Sequence, residues 1–167
     1  MAQATEGLDA IELLRQDHRT VEDLFKRFEE LKDQDEDAAA EIIESACAEL
    51  QIHDTIETEI FYPAVREEAE EDEVEDLLDE AEVEHEGVRE LIEKIEAMDW
   101  EDEKLHAHFT VLSEYVKHHV KEEEQEMFPK LKQLNGLDLE SLGAEMLERK
   151  TELMAEMGIE SDEEEAT

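Results

Sequence analysis

Residues His53 to Pro63 read HDTIETEIFYP, and residues His119 to Pro129 read HVKEEEQEMFP. In both, a histidine is followed at +4 by a glutamate, Glu57 or Glu123, and at +9 and +10 by an aromatic–proline pair, Tyr62–Pro63 or Phe128–Pro129. Side chains four apart share one face of an α-helix. A carboxylate on a buried face is costly unless something pairs with it. Working outward, His18 precedes His53 by 35 residues and His85 precedes His119 by 34, while His53 to His119 and Glu57 to Glu123 both span 66. The chain reads as one helical hairpin used twice, each copy giving a His and then a His-x-x-x-Glu.

Caps and apolar stripes place the helices around these motifs. Asp9 with Glu12 three residues on marks the first N-terminus. Ile11, Leu14, His18, Val21, Phe25 and Phe28 then form one face, and Lys32 to Asp37 breaks it. The second helix starts near Asp37 and carries Ile42, Ala46, Leu50, His53, Glu57 and Ile60. Pro63 is expected to kink it without ending it. The acidic run Glu71 to Asp76 reads as the next turn. The third helix holds Leu78, Ala81, His85, Val88, Ile92 and Ile95. Asp99 is the expected N-cap of the fourth, which carries Leu105, Phe109, Leu112, Val116, His119, Glu123, Met127 and Leu131 and stops at Asn135–Gly136. His85 and His119 stand more than a helical turn out of level, so the third connection should be longer or offset. Short connections make neighbours antiparallel. The expected fold is therefore all-α: an up-down-up-down four-helix bundle with an additional, Met-rich C-terminal helix from about Asp138 to Met157. One domain would span 1–157, with 158–167 an acidic, disordered tail.

The composition bounds the partners. Of 167 residues, 54 are acidic and 15 basic, for a formal charge of -39. Such a chain repels nucleic acid and anionic membranes. Charge of this size often means disorder, but 40% apolar residues at helical spacing indicate a folded protein with a surface adapted to a salt-rich cytoplasm. No apolar run is long enough to span a bilayer, and the N-terminus lacks the regions of a signal peptide. The single Cys47 fits a reducing compartment. The expected location is cytoplasmic.

Each helix of the bundle puts one histidine inward: His18, His53, His85 and His119. With Glu57 and Glu123 they make four imidazoles and two carboxylates at one centre. Imidazole nitrogens suit terminal positions on first-row metals, and a carboxylate has two oxygens with which to bridge a pair of cations. This mixed N/O set suits two iron ions best and manganese next. The thiolates of iron–sulfur and structural zinc sites are missing. His106, His108 and His118 fall off the inward face and are expected at the surface. Glu22, one turn after His18, and Asp54, beside His53, are further candidate ligands.

Together QDHRTVEDLF, HDTIETEIFYP, EHEGVRELI and HVKEEEQEMFP resemble the hemerythrin-like proteins of the HHE cation-binding class, from about Leu8 to Gln133. The resemblance implies a non-haem di-iron centre, with His18 and His53 on one iron, His85 and His119 on the other, and Glu57 and Glu123 bridging. Oxygen-carrying hemerythrins place a further histidine one turn after the helix-three His; here that residue is Arg89. The set is more similar to the four-His, two-Glu centres of iron–sulfur repair and iron-sensing relatives. Arg89 is expected to point toward the bundle interior. From there it would reach past the core to a surface carboxylate, pair with a bridging glutamate, or face an open iron position. Three functions stay open. The favoured one is binding or sensing of a small ligand, oxygen or nitric oxide, or of iron itself. The second is a redox enzyme that reduces nitric oxide or peroxide or acts in iron–sulfur repair. The third is an interaction protein whose C-terminal helix (Leu139, Leu142, Met146, Leu153, Met157) docks on a protein partner around a structural metal.

Overall fold

The computed structural model describes residues 8–69 and 72–159. Helix α1, Ala10–Leu31, opens on the expected capping box. The Asp9 side chain accepts the Glu12 N–H at 2.9 Å, and the Glu12 carboxylate accepts the Asp9 N–H at 3.3 Å. Helix α2, Glu36–Ile56, is capped by Asp35 one residue before the expected start. It does not end at Ile56. It passes through a wide turn with i→i−5 hydrogen bonding, Glu57–Phe61, into α3, Tyr62–Glu68. Proline has no N–H to donate and its ring crowds the preceding carbonyls, so a helix that continues through Pro63 must widen before it. The expected kink is thus a π turn, closed by the Tyr62 N–H on the Glu57 carbonyl. The second copy repeats it. Helix α5, Leu105–Glu122, widens over Glu123–Met127 and resumes as α6, Phe128–Leu131, which contains Pro129.

Three boundaries differ from the sequence reading. Helix α4, Asp72–Ala97, already contains most of the acidic run expected as a turn; acidic side chains are favoured at a helix N-terminus, where the dipole is positive. Asp99 does not cap α5. Its carbonyl accepts the Asp102 N–H in a turn at 2.9 Å, the Asp102 side chain accepts the Lys104 N–H at 2.8 Å, and the helix begins at Leu105. This longer connection, 98–104, brings His85 and His119 level. The last stretch of the fourth helix stops at Leu131, ahead of Asn135–Gly136. Helix α7, Leu139–Glu156, starts where expected, and the Asp138 side chain caps it by accepting the Ser141 N–H.

Helices α1 and α2 pack as one hairpin and α4 and α5 as the other; α1 meets α5 and α2 meets α4, which closes the four-helix bundle. Helix α7 lies across α1 and α2 and buries Leu142, Met146 and Leu153 there. Gly143 permits this contact: a Cβ on it would stand 2.6 Å from the Leu8 carbonyl oxygen and 2.8 Å from the Ala10 nitrogen. Apolar burial, the main driving force for such packing, falls in two clusters. One holds Leu13, Ile56, Phe61, Leu78, Phe128 and Met146; the other holds Phe25, Phe28, Ile43, Ile92, Phe109 and Leu112. On each bundle helix the inward histidine sits between the two, so a polar layer divides the core. Of the acidic tail expected at 158–167, residues 160–167 lie outside the described residues, while Ile159 packs against the first apolar cluster. No described helix is long and apolar enough to cross a membrane.

Candidate metal centre

The polar layer brings the six sequence-predicted residues together. His18, His53, His85 and His119 are all buried, and Glu57 and Glu123 are sealed from solvent at 0% and 1% exposure. Their donor atoms form two groups. Those of His18, His53 and Glu123 lie within 4.8 Å of one another, and those of Glu57, His85 and His119 do the same. Both glutamates touch both groups. Glu123 sets Oε1 3.1 Å from His18 Nε2 and Oε2 3.1 Å from His119 Nε2. Glu57 Oε1 is 2.8 Å from His53 Nε2 and 3.1 Å from His85 Nε2.

Each imidazole is held from behind. Nδ1 of His18 meets Glu124 at 2.6 Å, that of His53 meets Asp17 at 3.1 Å, that of His85 meets Asp54 at 2.6 Å, and that of His119 meets Glu84 at 2.8 Å. A carboxylate on Nδ1 favours the proton there and leaves the Nε2 lone pair directed inward, the usual support of a metal-binding histidine. Asp17 is itself held by Lys150 of α7 at 2.7 Å, so the C-terminal helix is wired into the centre. Asp54 is held by Arg89 through two bonds of 2.8 Å.

Several inward atoms have no hydrogen-bond partner: His18 Nε2, His53 Nε2, both Glu57 oxygens and Glu123 Oε1. His53 Nε2 and Glu57 Oε1 are close but not aligned as donor and acceptor. Buried polar atoms are rarely left so, and convergence without mutual alignment is how ligands arrange themselves around a common ion. The donor set therefore fits a metal. The buried carboxylates also favour the protonated form of three of the imidazoles against burial. Burial alone would push His53 down, yet Glu57 and Asp17 hold it well above its ordinary value. Burial likewise opposes protonation of His119 and His85; Glu123 with Glu57 and Glu84 outweighs it at His119, and Asp54 with Glu57 at His85. Against its own burial penalty, Glu57 is kept well below the carboxylate range by His53, His119 and His85. Asp54 falls to about 2 against burial, through His85 and Arg89.

The structure corrects two expectations at the rim. Arg89 does not point inward; its side chain is 45% exposed and turned to Asp54 and Thr58. This is closest to the first of its three fates, except that the carboxylate it reaches supports His85. Asp54 stands behind His85, with no atom in either donor group, and Glu22 is exposed on the outer face of α1. His118 is exposed beside Glu84 and Glu122, and His108 turns to the Lys104 carbonyl.

Sequence reasoning missed Asp17, Glu84, Glu124, Lys150 and Tyr62. The buried Tyr62 hydroxyl donates to Glu123 Oε2 at 2.6 Å, and burial with the charges of Glu123 and Glu57 pushes its pKa well above the ordinary value. A signal for two of them was present: Asp17 and Glu84 each immediately precede the first histidine of their hairpin and each hold the second. A cavity of about 30 Å³ is lined by the four histidines, Asp17 and Asp54, and by Val21, Leu50, Val88, Val116 and Val120; Tyr62 is not among its walls.

The family model of the hemerythrin HHE cation-binding domain matches residues 9–131, and the chain belongs to that family. The fold and the His/Glu groups are those of a cation-binding helical bundle. A solved structure of a hemerythrin HHE cation-binding-domain-containing protein from Mycobacterium kansasii is similar, with a TM-score of 0.72 and 22% identity over 89% of each chain. A comparison with curated proteins gave no match.

Proposed function

We propose that the protein is a non-haem di-iron binding protein whose centre binds or senses a small diatomic ligand, oxygen or nitric oxide. His18 and His53 would hold one iron, His85 and His119 the other, and Glu57 and Glu123 would bridge them. Bound iron supplies open coordination positions and reversible one-electron chemistry. The chain's own residues do the rest. Asp17, Asp54, Glu84 and Glu124 fix the imidazoles, and the valines exclude water from one side. The observation that carries this reading is the cavity of about 30 Å³ against all four histidines: it has room for one small molecule and apolar walls that favour an uncharged one. Anaerobic purification followed by optical spectra on adding oxygen or nitric oxide tests it. A spectral change that saturates with ligand is expected; iron-loaded protein whose spectrum responds to neither would contradict it.

A polar cleft of about 410 Å³ meets the centre at Tyr62 and His85. It favours, as a second reading, a redox enzyme that reduces nitric oxide or peroxide, because that chemistry needs a route for protons and water.

A further inference from the structure

His118 and Glu122 repeat the His-x-x-x-Glu spacing one residue ahead of His119 and Glu123. A shift of one residue turns a side chain by about 100° around a helix, so this second pair leaves the bundle centre and meets α4 at the surface. There Glu84 completes a triangle. His118 Nε2 lies 3.2 Å from Glu122 Oε1 and 3.4 Å from Glu84 Oε2. One donor atom from each of the three residues lies within 4.8 Å of the others. The nitrogen faces both carboxylates without hydrogen-bond alignment to either. Donor atoms about 2.1 Å from one first-row ion lie about 3.0 Å apart at a right angle and about 3.4 Å apart at the tetrahedral angle. The two distances to His118 match that spacing.

We propose that Glu84, His118 and Glu122 form a third, outer metal site that takes a divalent first-row ion, with water in its remaining positions. None of these residues offers an atom to the two donor groups of the centre. The imidazole selects a transition ion over magnesium or calcium, which prefer oxygen alone. The site is also prearranged. Glu84 is fixed by its other oxygen, Oε1, at 2.8 Å from His119 Nδ1, which leaves Oε2 turned outward. His118 and Glu122 are held at helical spacing by α5. Glu84 and Glu122 set two like charges together, and a cation between them removes that repulsion. His118 is 64% exposed, so the ion can enter from solvent without opening the bundle. Through Glu84 the outer ion is one carboxylate away from His119 and the centre.

Zinc is the probe, because it has no redox chemistry. Iron-loaded protein is dialysed to equilibrium against zinc at about 0.5 M salt, which screens the diffuse acidic surface. One zinc ion per chain is expected, with the iron content unchanged. His118→Ala and Glu122→Gln should each lose that ion and keep the iron. X-ray absorption at the zinc edge should show an imidazole among oxygen donors. The same loss of one zinc is expected between metal-free wild type and metal-free His118→Ala. That difference therefore supports the outer site even in a chain that takes up no iron, where the di-iron reading itself would fail. Zinc that enters only as iron leaves overturns the proposal. So does zinc retained in both variants, or bound zinc with no imidazole.

Discussion

Asp17 offers no atom to either donor group, yet it holds His53 by Nδ1 and is tied in turn to Lys150. Asp54 does the same for His85 with Arg89 behind it. Loss of such an outer partner typically weakens metal affinity about 10–100-fold. Asp17→Ala and Asp54→Ala should each show a loss of that order in competitive metal titration; unchanged affinity in both would mean that the imidazoles need no support. A pH dependence follows from the same contacts. In the metal-free protein His53, His85 and His119 are raised by their carboxylates. Their contribution to metal-free stability is therefore full below the unfolded value of about 6.5 and is lost as pH rises through the folded values. Metal needs the same imidazoles neutral. The gap in Tm between loaded and metal-free protein should widen from pH 6 to pH 8, and a gap that narrows would contradict this account. The four histidines and two glutamates were legible because they recur on one face of each helix. Their outer partners were not, because those contacts depend on how neighbouring helices are rotated and levelled. In a chain with 41% charged residues, one more acid is no signal. Arg89 misled for a related reason: one turn after His85 is the rim of the inward face, and Asp54 across the groove captures it.

Between helices, α7 comes close to the start of α1 at Gly143. A methyl group there would press on backbone atoms 2.6–2.8 Å away, which cannot yield as a side-chain tip can. Gly143→Ala should destabilise the fold by about 1–3 kcal/mol, as overpacking does. Gly87, within α4, has nothing within 4 Å of such a methyl. Gly87→Ala should instead stabilise by about 0.5–1 kcal/mol through helix propensity. Denaturant unfolding of the pair checks the contrast; equal effects would show that the close approach is not a constraint. The helices themselves were readable from caps and stripes: the Asp9–Glu12 box, the start of the last helix near Asp138 and the antiparallel order all hold. The wide turns were not, since the sequence marks each only by its proline and the extra residue sits in the turn before it. Asp99 was an attractive cap by residue type, but Asp102 holds the backbone nearer the helix, and α5 starts later.

At the scale of the molecule, a charge of -39 means strong self-repulsion in dilute buffer. Screening shortens its reach from about 10 Å at 0.1 M salt to about 3 Å at 1 M. We expect the melting temperature of the metal-free protein to rise over that range; a flat or falling curve would remove the case for salt adaptation and leave the centre untouched. The centre concentrates the same problem, with Glu57 and Glu123 sealed inside and four more carboxylates behind the imidazoles. Bound cations answer that repulsion and tie the two hairpins together, so metal should stabilise the whole bundle by mass action. The most direct measurement is the iron content of anaerobically loaded protein, wild type beside His119→Ala and Glu123→Ala. The account predicts two iron ions per chain, with at least one lost in each variant. No iron in the wild type, or full retention in both variants, would contradict it.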